Sequence, residues 1–271
     1  MTTFPHVSSN TTREETDLRE TIAAWTRYID RLSRDAGQDQ QLQQLITSAR
    51  LRRGIAFAHI KAWDAAQADL QWIIDEQHGK DEERSACLVL GAVYAEHGQD
   101  DEAIVCWSTV LSAWEQATRK EARAFEEDIP LLYLYRGMLH GRQKRYRDAI
   151  ADGDRAITLQ PDSAEAFSVR GISYSYLGEL DQALADCTHA VELDPQARHS
   201  HRLSEVHMMR HEYRLALDVC NRAHELDPTD EYVLISRNKA RFMLMMSLFE
   251  GHDQKPEEQI GDEQIEQDHA V

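Results

Sequence analysis

Histidine and cysteine are the residues of this chain best suited to chemistry, with 13 His and 4 Cys in 271 residues. His207 and His211 are four apart, a spacing that puts both rings on one helical face, and His199 and His201 stand close by. Two imidazoles at that spacing can hold zinc, but a stable site takes three or four ligands. His207 is followed by Met208, so the HExxH pattern of metalloproteases is missing. Cys87, Cys106, Cys187 and Cys220 are widely spaced and form no CxxC pair. They fall at packing positions and read as small buried hydrophobes rather than nucleophiles. The phosphate-cradling GxxxxGK[ST] and GxGxxG loops and the GxSxG nucleophile elbow are absent. The expectation is a chain with no catalytic residue, cofactor or metal, hence no enzyme.

Composition narrows the partners. Asp and Glu number 48 against 30 Lys and Arg, a formal net charge of −18. That balance repels nucleic-acid backbones and anionic membrane surfaces, so neither partner is expected. No stretch approaches the roughly 20 apolar residues of a membrane span, and Met1–Asn10 has neither the basic start nor the apolar run of a signal peptide. With unpaired cysteines, this points to the cytoplasm. Pro (6) and Gly (12) are scarce, while helix-forming Ala, Leu, Gln, Glu and Arg abound. With no alternation of apolar and polar residues, the chain reads as all-α.

The elements that position these residues follow from a repeat. Pro161, Pro195 and Pro228 are spaced by 34 and 33 residues, and Ala149, Ala183 and Ala216 keep the same steps. Ala149-Ile150-Ala151-Asp152 recurs as Ala183-Leu184-Ala185-Asp186, and Leu159-Gln160-Pro161 recurs as Leu193-Asp194-Pro195 and Leu226-Asp227-Pro228. A fixed period near 34 signals stacked helical hairpins. In the clearest copy, Phe167, Gly171 and Tyr174 lie on a first helix, Leu177-Gly178-Glu179 makes the turn, and Ala183, Cys187 and Ala190 stripe a second helix that Pro195 ends. Gly171 and Ala183 are small where the helices cross closest.

These residues resemble the tetratricopeptide repeat, in which an aromatic-x2-Leu-Gly-x2-Tyr helix is followed by an Ala-x3-aromatic helix and a Pro. The resemblance covers about 40–228 and implies a right-handed superhelical solenoid of about five hairpins, near 47–80, 84–117, 130–163, 164–196 and 197–229. Helical caps are expected at 16–37 and 230–249, with disorder over 1–15 and in an acidic tail over 250–271. That tail holds eight acidic residues against Lys255 alone. It either solubilises the chain or competes with a basic peptide. Ala103 to Ala149 is 46 residues, 12 beyond the period. This predicts a helical insertion near 112–129 that lengthens the second helix through Trp114 and beyond. The insertion is either a binding element or an idiosyncratic linker.

Internal comparison yields one covarying pair. Arg53, Arg136 and Arg170 immediately precede the repeat glycine, and sixteen residues later stand Asp69, Asp152 and Asp186. The other two copies have Leu90 and Leu203 there, followed by Cys106 and Val219. Charge goes with opposite charge and apolar with apolar, which predicts structural Arg–Asp bridges across three hairpins, since a buried Arg without its carboxylate is costly. Drift among duplicated repeats is the alternative.

In the family that the repeats resemble, the first helices line a groove that binds protein segments. Carried over, that groove holds Leu51, Ile55, Leu88, Ala92, Leu131, Leu134, Met138, Ser168, Ile172, His201 and Glu205. Its centre is apolar and lacks the Lys and Asn with which chaperone-tail binders clamp a carboxylate. The resemblance thus implies a non-catalytic adaptor or scaffold that takes an apolar helix or extended segment. A structural subunit of a stable or homo-oligomeric complex is the alternative reading, and a peptide-sensing regulatory module is a third. Phe242–Phe249 is apolar nearly all round, where a cap needs one apolar face. It either docks deeply on the last repeat or meets a partner, including a second copy in a homodimer.

Overall fold

The protein is described by a computed structural model over residues 11–37, 39–76, 80–123 and 126–253. The expected disorder over 1–10 and the tail from 254 onward lie outside the described residues. Among the described residues the chain is all-α, with thirteen helices and no strand. They divide into two compact units, Met1–Ser173 and Tyr174–Val271.

The first unit opens with α1 (Thr11–Asp35), which packs on α2 (Gln40–His59). Hairpins follow as α2 with α3 (Trp63–Asp75), α4 (Lys80–Glu96) with α5 (Asp100–Gln116), and α7 (Ile129–Arg142) with α8 (Tyr146–Leu159). Each hairpin also touches the next, α3 against α4 and α5 against α7. Helix α9 (Ala164–Leu177) passes from this unit into the second. There α10 (Leu180–Leu193) packs on α11 (Ala197–Met209), which pairs with α12 (Tyr213–Leu226) and touches α13 (Glu231–Asp253).

The hairpin turns share one backbone solution. Lys61, Gly98, Lys144, Gly178 and His211 each adopt a positive φ of 58–81°. In every case the next N–H returns to the carbonyl five residues earlier, at 2.8–3.0 Å, the helix-ending bond that a left-handed residue makes possible. Glycine takes this conformation without strain, so the glycine signal marked only two of the five turns. The opposite ends of α8, α10 and α12 are set by Pro161, Pro195 and Pro228. A proline forces its predecessor out of the helical region, and Gln160, Asp194 and Asp227 are extended at φ −134° to −143°.

Two boundaries differ from the sequence expectation. Helix α2 begins at Gln40, seven residues before the expected repeat, because Asp39 caps it by accepting from the N–H groups of Gln41 and Leu42. Helix α5 ends at Gln116 rather than projecting onward. Ala117 is extended (φ −69°, ψ 147°), and a separate short helix, α6 (Arg119–Ala122), follows. Thr118-Arg119-Lys120-Glu121 is the sequence signature of a new helix start. At the ends, α1 already begins at Thr11 and α13 runs on to Asp253, past the limits expected for the two caps.

The core is continuous along the first unit. Ala66, Leu70, Ile73, Leu90, Ala103, Trp107, Val110, Ile129 and Tyr133 all belong to one buried cluster. A second cluster under α1 joins Ile29, Ala36, Ile46 and Ala49. In the second unit Ala183, Cys187, Leu203, Val206 and Val219 form the core, with Met208, Ala216 and Ala240 beside it. Closest approach explains the glycine of α4: a Cβ on Gly91 would stand 2.3 Å from Trp107 Nε1.

Candidate functional site

Two hairpins of the first unit are bridged by charge. Arg53 on α2 donates Nε to Asp69 Oδ2 at 2.6 Å and Nη2 to Oδ1 at 2.7 Å, a bidentate contact with α3. Arg136 on α7 repeats the geometry on Asp152 of α8, at 2.9 and 2.6 Å. Both carboxylates are buried. The bond to Asp69 holds Arg53 above the usual arginine range. Burial is the largest influence on Arg136 and opposes its charge, yet the bond to Asp152 and the nearby charges of Asp152 and Glu115 together outweigh it and raise that group too.

Each guanidinium has a third arm that the sixteen-residue comparison did not reveal. Arg53 Nη1 donates to Thr26 Oγ1 of α1 at 3.1 Å, and Arg136 Nη1 to Ser108 Oγ of α5 at 2.9 Å. Arg170 Nη1 likewise reaches back to Asp154 of α8 at 2.7 Å. The arginine therefore ties its helix to the preceding element. Around Asp69, Arg50 adds a further bond at 2.9 Å and lies over the Trp72 ring at 4.3 Å. Around Asp152, His140 Nε2 lies 3.8 Å away, with its pKa lowered chiefly by burial against the pull of nearby carboxylates. Where the sequence replaces the charges, Leu90 and Cys106 are buried in one core cluster, and Leu203 and Val219 in another.

The residues expected in the groove are placed unevenly. Leu51, Leu88, Ala92 and Met138 are half-buried against the core on α2, α4 and α7. Ile55 and Ile172 are also half-buried, and Leu131 is 44 % exposed. Leu134 and Ser168 are not surface residues: they are 5 % and 1 % exposed, turned into the packing between helices. On α11, His201 Nδ1 bonds Ser236 Oγ at 2.6 Å and its ring meets Tyr232 at 5.8 Å, so α13 already engages this face. Glu205 stays beside it, 3.7 Å from His201 Nε2.

The histidines and cysteines take separate partners. Helix α11 ends at Met209, so His211 falls in the turn and does not share a helical face with His207. His207 Nδ1 meets Glu212 and His211 Nδ1 meets the Tyr213 hydroxyl, both at 2.7 Å. All four cysteines are buried and unpaired. Burial pushes the thiols of Cys106 and Cys187 up to about 12 and that of Cys87 to about 11, which keeps them neutral and poor nucleophiles.

A family model described as tetratricopeptide repeat matches residues 164–197. Human tetratricopeptide repeat protein 13 is 26 % identical over 160 residues, 57 % of this chain and 17 % of its own length. The Hsp70-Hsp90 organizing protein of Triticum aestivum is 29 % identical over 94 residues, 34 % of this chain and 16 % of its own. The chain thus spans about a sixth of the length of these curated relatives. Among solved structures, a tetratricopeptide repeat protein from Parabacteroides merdae superposes with TM-score 0.62 at 17 % identity, covering 76 % of this chain and 77 % of that one. YrrB, described as a TPR protein with an unusual peptide-binding site, gives 0.57 at 18 % identity over 79 % and 98 %. Residues 164–197 thus match a tetratricopeptide repeat, and the fold of the chain is the all-α hairpin fold of those structures. Among the described residues no helix is long and apolar enough to cross a membrane.

Proposed function

We propose that the chain is a non-catalytic adaptor or scaffold that holds an apolar helix or extended peptide on the face of the first unit built by α2, α4 and α7. The observation that carries this reading is the run of accessible apolar side chains on successive first helices. Leu131 is exposed, and Leu51, Ile55, Leu88, Ala92 and Met138 are half-buried. Such a strip offers pockets for side-chain anchors, whereas its scarcity of charge gives little purchase on a free carboxylate tail. The buried Arg–Asp bridges stiffen the hairpins that present the strip. Unpaired cysteines suit a reducing compartment, the cytoplasm. The relatives that include a chaperone organizing protein support protein binding as the class of function.

Affinity capture with quantitative mass spectrometry tests the assignment, comparing the wild-type chain with Leu131→Glu/Met138→Ala. The expected result is a protein retained by the wild type and lost about tenfold or more by the variant, the loss that ~1.4 kcal/mol produces. The variant should still unfold cooperatively, a few degrees below the wild type, because Met138 packs partly against the core. Undiminished capture by a folded variant overturns the face. A second reading, a structural subunit of a stable complex, is favoured by one observation, the exposed apolar stripe of α13.

A further inference from the structure

No further inference is drawn: the strongest candidate, the exposed apolar stripe of α13 formed by Phe242, Met245, Met246 and Phe249, is an unpartnered helix face, and nothing in the structure shows what covers it.

Discussion

Hairpins α2–α3 and α7–α8 close on a buried Arg–Asp pair, whereas α4–α5 and α11–α12 carry Leu–Cys and Leu–Val at the same two positions. The apolar pairs stabilise by removing area from water, and they do so without direction. The charged pairs must offset two desolvations with bidentate geometry, and a carboxylate left without its arginine would be worse than no carboxylate. What the charged solution adds is reach. Arg53 and Arg136 each extend an N–H to the preceding helix, at Thr26 and Ser108, and a leucine has no such arm. The position demands complementarity rather than a residue type, and its polar form links neighbouring elements by directed bonds.

The largest expected effect comes from breaking one charged pair. Asp69→Leu leaves the half-buried Arg50 and Arg53 without the carboxylate they share and should cost about 3 kcal/mol in urea unfolding. Cys106→Ala, at the equivalent apolar position, removes one sulfur from a small side chain and should cost about 1 kcal/mol. Equal losses at the two sites would erase the distinction. Next comes the close approach that the apolar hairpin permits. Gly91→Ala drives a methyl into the buried Trp107 ring and should destabilise by about 1–3 kcal/mol. Gly54→Ala meets only the Leu70 side chain at 3.0 Å and should cost less.

Smaller effects sharpen the comparison at the turns. Lys61→Gly and Lys144→Gly relieve a left-handed backbone that costs an L-residue roughly 1 kcal/mol, so each should raise the melting temperature. Gly98→Ala and Gly178→Ala should lower it by a similar amount. The mildest test is pH. Burial sets the folded pKa of His140 below its unfolded value. Its contribution to stability is therefore present above about 6.5 and lost as pH falls below that value. The His140→Phe protein should lose less stability than the wild type on acidification through this range. Parallel pH profiles would contradict the role given to His140.

Much of this architecture was legible because repetition exposes it. The 34-residue period, the prolines ending α8, α10 and α12, and the coupled identities at 53/69 and 136/152 needed only the chain compared with itself. What escaped was whatever does not repeat or depends on distant neighbours. The third arms end at the hydroxyls of Thr26 and Ser108, 27 and 28 residues before their arginines, a near-repeat that lies outside a comparison made within each hairpin. Three of the five turns place Lys or His where glycine is the usual signal. The end of α5 carries no Gly or Pro, only a competing helix start at Thr118. Leu134 and Leu131 share a helix and an apolar character, and only packing decides that one is core and the other exposed.

The most direct test transplants one solution into the other hairpin. Arg136→Leu and Asp152→Cys install the α4–α5 pair in α7–α8, alone and together, with unfolding free energy measured for all four proteins. The two positions are predicted to couple: each single change should cost about 3 kcal/mol or more, and the double variant should return to within about 1 kcal/mol of the wild type. Losses that simply add, leaving the double variant the least stable of the four, would contradict the claim that the two pairs are alternative solutions at one structural position.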